Sequence, residues 1–423
     1  MLQFLKLPEI RALRELNIDG RWLFVTRTVR MFAYGFVAVI LVLYLHEVGL
    51  SDTAVGALLT ATLLGDVAIS LWITGNADRI GRRRMLIIGC GLMMLAGIAF
   101  VLTDNWLLLA LAATIGTISP SGNEVGPFSP IEQAALPQTA PAEHRTQIFA
   151  WYNLVGSLAT AVGGLIGGGL TDLLQHSGMS ALSSYRVPLV GYTLIGVLLA
   201  VLFTRLSPQI EAPRRPVDAP VVKTQFGLHR SRGIVLKLSA LFMLDSFAGG
   251  LVVLSWVTYW FHVKYGVEPA ALGAIFFGAN LLAGLSSLAA ARVARRFGLL
   301  NTMIWTHAPS NILLILVPLM PNMPLAILML LLRFSISQMD VPTRQSYTVA
   351  VVDPDERSAA AGITNIARTA ALSVSPSLTG ALFSAGLLSV PFLMAGSLKL
   401  VYDFALARSF QTIKPEEERT SAP

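Results

Sequence analysis

About twelve apolar runs, most of them close to twenty residues long, follow one another along this chain of 423 residues. A helix needs about 20 such residues to cross the hydrocarbon core of a bilayer, and each backbone polar group there must find its partner inside the protein. The runs therefore predict an all-α polytopic membrane protein with twelve transmembrane helices. The first six spans are at 22–45, 53–74, 85–102, 106–136, 148–170 and 187–206; the second six are at 235–261, 270–291, 300–320, 324–349, 359–382 and 387–406. Composition excludes the other classes. Only 13% of residues are charged, against roughly 25% in an average soluble domain, and 54% are hydrophobic, too many for a chain that stays unfolded. Cys90 is the single cysteine, which removes an intrachain disulfide or a Cys-built zinc site.

Between the two groups of six lies a polar stretch with Pro213, Arg214, Arg215, Pro216 and Pro220, which reads as a linker. The predicted organisation is a tail at 1–21, a six-helix half at 22–206, a linker at 207–232, a second half at 233–408 and a tail at 409–423. The net charge of +7 does not point to nucleic acid, because the basic residues sit in alternate short loops. They occupy the first tail (Lys6, Arg11, Arg14, Arg21), the Arg79 to Arg84 loop, Arg145, the linker, Arg292 with Arg295 and Arg296, Arg357, and the last tail (Arg408, Lys414). The opposite loops offer little basic beyond Arg186 and Lys264 and hold Glu47, Asp52, Asp104, Asp172 and Glu268. Basic loops stay cytoplasmic, so both termini are expected on that side. The first 21 residues lack the apolar core of a signal peptide.

The halves resemble each other. A shift of 215 aligns Phe32 with Phe247, Gly35 with Gly250 and Tyr44 with Tyr259. A shift of 212 aligns Pro130 with Pro342, Gln133 with Gln345, Asn153 with Asn365 and Gly168 with Gly380. Such an internal repeat is the trace of a duplicated unit. Two aligned positions reverse charge: Arg30 falls on Asp245, and Glu132 on Arg344.

The loop after span two reads Gly75-Asn76-Ala77-Asp78-Arg79-Ile80-Gly81-Arg82-Arg83-Arg84. It closely resembles the Gly-x-x-x-Asp-Arg-x-Gly-Arg-[Arg/Lys] signature of the major facilitator superfamily, at the place that family carries it. The stretch Ala294-Arg295-Arg296-Phe297-Gly298 resembles its degraded repeat. The resemblance covers essentially the whole chain and implies two pseudo-symmetric six-helix halves working by alternating access, with substrate bound near the membrane midplane. It also implies that Gly75, Asp78, Arg79, Gly81, Arg82 and Arg83 form a conformational-switch loop, with Asp78 facing the start of span eleven near Ser358. A carboxylate at a helix N-terminus is favourable. The family's drug/proton antiporters often carry an arginine within span four and a Gly-Pro pair in span five, and neither is present here. Gly163 with Gly167, and Gly164 with Gly168, instead have the spacing that brings helix backbones close.

An ionisable residue in a membrane helix is costly unless it is paired or hydrated, and so marks a candidate site. The resemblance implies that spans one, four, seven and ten line the cavity, and most buried charges fall on them: Arg27, Arg30, Glu124, Glu132, Asp245, Arg333, Asp340 and Arg344. Span two adds Asp66 and span eleven Arg368. Glu124, Asp245 and Asp340 are the candidate proton-coupling carboxylates, since a carboxylate in a low-dielectric cavity can take up a proton near neutral pH. Arg30, Tyr34, Arg333, Trp256 and Arg368 are the candidate substrate contacts. Arg27, Glu132 and Arg344 lie near cytoplasmic helix ends, where snorkelling or a loop salt bridge is the plainer reading. Asp340 with Arg344, and Lys399 with Asp403, have the i, i+4 spacing of a self-neutralising pair. Asp66 and Arg368 also read as a packing pair. Trp22, Trp106 and Tyr44 are expected in the interfacial belt. The six histidines show no metal-ligand spacing.

These readings converge on a secondary active transporter of a small organic solute, proton-coupled and exporting, in a bacterial inner membrane. Uptake of an organic anion is the alternative, suggested by Arg30, Arg333 and Arg368. No phosphate-binding loop is present to hydrolyse ATP. The expected partners are lipid, solute and protons, without cofactor, metal or nucleic acid, and the chain is expected to be a monomer. A non-transporting receptor or scaffold is the rival class, and it has no need of charged stripes. No hydrolase or metalloprotease motif supports an enzyme.

Overall fold

The structure, a computed structural model, describes residues 13–122, 128–139, 145–211, 230–353 and 356–411. These residues are helical, with no strand among them. Span one consists of α1 (Ile18–Ala38) and α2 (Leu41–Glu47), bent by 43°. Spans two and three are α3 (Asp52–Ile80) and α4 (Arg82–Leu102). Span four is divided into α5 (Trp106–Ile115) and α6 (Phe128–Ala135), and spans five and six are α7 (Arg145–His176) and α8 (Ala181–Phe203). Span seven is α9 (Arg232–Gly250) followed by α10 (Leu254–Tyr265), and spans eight and nine are α11 (Pro269–Phe297) and α12 (Leu299–Leu316). Span ten is α13 (Met323–Ser337) followed by α14 (Asp340–Ala350), and spans eleven and twelve are α15 (Arg357–Ser384) and α16 (Val390–Phe410). The interrupted spans are one, four, seven and ten, the same four that carry most of the charges.

Among the described residues nine helical stretches are long and apolar enough to cross a membrane, or ten with α1 and α2 counted together. Spans four and eleven are present as helices but fall short of that test. Span four is cut after ten residues at α5, and α15 carries Arg368 among Ser, Thr and Asn residues. The surface agrees with a lipid setting: Leu102, Trp305 and Phe404 are 77%, 75% and 71% exposed, while charged side chains lie inside. Tyr44, expected in the interfacial belt, does not face lipid. It is fully buried and its hydroxyl donates to the Phe100 carbonyl, which satisfies the polar tip inside the protein.

The chain divides into two compact units, Met1–Leu50 with Leu64–Arg215 and Thr258–Phe277, and Ser51–Leu63 with Pro216–Val257 and Gly278–Pro423. In the first, α1 crosses α7 so closely that a Cβ on Gly35 would stand 2.1 Å from the Thr160 carbonyl oxygen. In the second, α9 crosses α15, and a Cβ on Gly250 would stand 2.5 Å from that of Leu372. Gly35 to Gly250 is the shift of 215, and Thr160 to Leu372 the shift of 212, so the sequence repeat is also a repeat of backbone crossings. Gly163 and Gly167 extend the first crossing, against the carbonyls of Phe32 and Phe36. Gly168 meets the Pro269 carbonyl in the first unit, and Gly380 that of Asp52 in the second.

Candidate functional site

In the first unit, α1 and α6 bring Arg30 and Glu132 together. Arg30 Nη1 donates to Glu132 Oε1 at 2.7 Å and Nη2 to Oε2 at 2.6 Å, with both side chains fully buried. This two-pronged geometry is the strongest that guanidinium and carboxylate can form. The Tyr152 hydroxyl of α7 also donates to Glu132, Thr26 Oγ1 stands 3.4 Å away, and the Phe128 ring lies 4.7 Å from the guanidinium carbon of Arg30. Arg27 does not snorkel. Its Nε donates to the Tyr152 carbonyl at 2.8 Å and its guanidinium covers the Tyr152 ring. Tyr34 is fully buried beside Tyr192. Glu124 lies outside the described residues.

The second unit builds a wider cluster around Asp245 of α9. One carboxylate oxygen lies 2.5 Å from Lys399 Nζ of α16 and 3.5 Å from His307 Nε2 of α12; the other lies 3.3 Å from Arg344 Nη1 of α14. Arg344 also donates to Asp340 Oδ2 at 2.9 Å, so the predicted i, i+4 pair exists but as part of the network. Lys399 and Asp403 have that spacing too, yet each turns to another helix, Lys399 to Asp245 and Asp403 to His307 Nδ1 at 2.7 Å. Asn311 Nδ2 donates to the other Asp403 oxygen at 3.0 Å.

The two charge-reversed alignments are thus the two ion pairs themselves: Arg30 with Glu132, and Asp245 with Arg344. The sequence shows the reversal but not the pairing, because span one meets span four only in the fold. His307 and Asn311 are members that sequence reading passes over, and Lys399 with Asp403 reads in the sequence only as a mutual pair. Their signal was polar residues at i, i+4 within two otherwise apolar runs.

The remaining candidates are placed as follows. Arg368 of α15 donates its Nε to Ser246 Oγ at 3.1 Å. Asp66 accepts from Ser70 at 3.4 Å. Arg333 of α13 stands over the Phe334 ring, and its buried Nε has no hydrogen-bond partner. Among the described residues neither Arg333 nor Arg368 has a carboxylate within ion-pair distance. Trp256 is buried edge-on against Phe383.

In the signature loop, Gly81 has φ of +112°, a conformation that suits glycine alone, and Gly298 at +83° starts α12 in the same way. Glu211 accepts from the Arg82 backbone N–H at 2.6 Å and the Arg83 N–H at 3.3 Å, which places its charge at the start of α4. The side chains of Arg82 and Arg83 reach the Ile210 and Leu206 carbonyls, each at 3.1 Å. Gly75, Asp78 and Arg79 lie on α3; the side chains of Asp78, Arg79 and Ser358 lie outside the described residues, and so does the expected contact.

Known proteins share this architecture. An uncharacterized membrane protein of Saccharomyces cerevisiae is 32% identical over 420 residues, covering 93% of this chain and 94% of the yeast protein. The quinolone resistance protein NorA of Staphylococcus aureus is 24% identical over 164 residues, 39% of this chain and 38% of NorA. Among solved structures, a D-xylose–proton symporter superposes with a TM-score of 0.70 at 16% identity, covering 94% of this chain and 98% of the symporter. The family model of the Major Facilitator Superfamily matches residues 23–376. A multi-pass chain of this fold, with repeat-related ion pairs buried in its helices and that match along most of its length, belongs to the major facilitator superfamily and is a membrane transporter rather than an enzyme.

Proposed function

We propose that this transporter exports a small organic solute bearing an anionic group, by alternating access and on a proton gradient, from a plasma membrane in which both termini are cytoplasmic. One observation carries the solute chemistry. Arg30 is closed off by Glu132, whereas half-buried Arg333 and Arg368 hold cationic groups without a described carboxylate partner. A guanidinium kept in such surroundings attracts a carboxylate, sulfonate or phosphate, which it can bind through two parallel hydrogen bonds. The partial match to a quinolone resistance protein supports export, and quinolones carry a carboxylate. Coupling is assigned to the cluster around Asp245 and Asp340 within the described residues, with Glu124 a further candidate outside them. Uptake of an organic anion is the second reading, favoured by the same two arginines.

Thermal unfolding of the purified full chain with norfloxacin, and with its methyl ester, tests the solute class. A ligand at 100 times its Kd stabilises by about 2.7 kcal/mol. The acid is expected to raise Tm, the ester not, and Arg333→Gln to abolish the shift. An ester as effective as the acid, or an unchanged shift in Arg333→Gln, would overturn the anionic assignment.

A further inference from the structure

His307 lies 5% exposed on α12, outside the spans that the family pattern implicates, and both of its ring nitrogens face carboxylates. Nδ1 is 2.7 Å from Asp403 Oδ1 and Nε2 is 3.5 Å from Asp245 Oδ1. A neutral imidazole has one N–H and one lone pair, while the imidazolium has two N–H donors and no acceptor. Either neutral tautomer would therefore turn a lone pair toward a carboxylate oxygen, and at Nδ1 the Asn311 amide nitrogen stands 3.1 Å away as a second neighbour. Only the cation offers a hydrogen to both carboxylates.

The groups in contact around His307 are Asp403 of α16, Asp245 of α9, Asp340 and Arg344 of α14, and Lys399 of α16. One oxygen of Asp245, one of Asp340 and a ring nitrogen of His307 lie within 4.8 Å of one another. Arg333 of α13 and Arg368 of α15 are the next cations outward and act on Asp245 and Asp340 through space without an ion-pair contact, so charge balance alone does not require the proton and the hydrogen geometry carries the assignment. The Tyr402 ring meets the imidazole edge-on at 5.7 Å, and Asn311 holds Asp403 in place from one turn along α12.

We propose that His307, set between Asp403 and Asp245, is a proton-binding site of the second unit, loading and releasing the coupling proton as an imidazolium N–H. The coupling role rests on the proton-driven reading above; the binding site does not. When the proton leaves, Asp245 is left to Lys399 and Arg344 alone, so the loaded and unloaded cluster favour different side-chain arrangements. A site of this kind biases a two-state transporter by its differential affinity for the two states.

Nitrogen NMR of the full chain in lipid nanodiscs, with labelled histidine and His307 assigned by difference against His307→Gln, reads the site without any solute. The expected result, across a series from pH 5 to 9, is a His307 ring that carries protons on both nitrogens at the acid end and is neutral at the basic end, with the doubly protonated form diminished in Asp403→Asn. A single neutral tautomer throughout that range would overturn the proposal. If His307→Gln does not fold, assignment in a protein retaining only His307 of the six histidines gives the same readout. In parallel, norfloxacin flux into proteoliposomes is measured with and without a pH gradient. Stimulation in the wild type that is lost in His307→Gln supports the coupling role. A titrating His307 without any stimulation overturns the proton-driven reading and leaves the site standing, whereas undiminished stimulation in His307→Gln overturns the coupling role of His307 alone.

Discussion

Arg30 with Glu132 and Asp245 with Arg344 occupy matching places in the repeat, yet the two units use them differently. In the first unit the pair is closed: two short bonds, a tyrosine hydroxyl, and no second ion in contact with Glu132 among the described partners. In the second unit Asp245 is shared among Lys399, Arg344 and His307, and Asp340 and Asp403 extend the chain of contacts. Neighbouring positions account for the difference. The shift that aligns Gly81 with Gly298 is 298 − 81 = 217, and it places His307 on Cys90, since 307 − 90 = 217. Where the first unit has a small, buried, weakly polar thiol, the second has an imidazole that reaches two carboxylates. A duplicated fold thus carries one pair with a single described counter-ion and one set in a wider network of ionisable side chains.

The largest effect expected from this contrast is on stability. Glu132→Gln removes the described counter-ion of buried Arg30, and breaking a buried pair on one side costs about 3–5 kcal/mol. Asp245→Asn is expected to cost about 1–2 kcal/mol, because Arg344 keeps Asp340 and Lys399 can turn to Asp403 one turn along its own helix. Guanidinium-free thermal unfolding in detergent, with size-exclusion profiles, measures both. The contrast breaks if Asp245→Asn proves the more damaging of the two.

A middle-sized effect separates backbone from charge. The crossings at Gly35 and Gly250 are equivalent even though the ions beside them are not. Alanine at either position places its Cβ against a carbonyl oxygen, at 2.1 Å in one case and 2.5 Å in the other, and overpacking of this kind costs about 1–3 kcal/mol. Similar losses of Tm in Gly35→Ala and Gly250→Ala would show that the units share their packing and differ in their ions. A harmless Gly250→Ala would extend the asymmetry to the backbone.

Much of this was legible in the residues. Run lengths and the repeat predicted the helices, and the signature loop pointed to the family, because those features are local. The breaks in spans one, seven and ten were not legible. Only span four advertises its interruption with Pro120, Gly122, Gly126, Pro127 and Pro130, whereas α1 stops at Ala38 and α9 at Gly250 in apolar sequence. Nor did spacing along one helix reveal the cluster. Lys399 and Asp403 read as each other's partners at i, i+4, and it is the packing of α16 against α9 and α12 that gives each a better one. Pairing across helices is a property of the fold, and helical periodicity alone cannot rank it against a neighbour on the same face.

The smallest effect expected is from exchanging the first unit's charges, and it is the finest test of what holds each pair in its polarity. In the double substitution Arg30→Glu with Glu132→Arg the two partners still face each other, and among the described neighbours of Glu132 neither Tyr152 nor Thr26 requires the original direction. The Tyr152 and Thr26 hydroxyls can turn to accept as readily as they donate. What is lost is chiefly the guanidinium over the Phe128 ring at 4.7 Å, a contact worth about 0.5–2 kcal/mol, so a folded protein with a loss of that size is expected in thermal unfolding. The second unit has no such freedom: a guanidinium at position 245 would meet Lys399, now 2.5 Å from the carboxylate there, and a carboxylate at position 344 would meet Asp340. Collapse of the first unit's exchanged protein would mean that unseen surroundings fix its polarity too, and the closed pair would then be no simpler than the shared one.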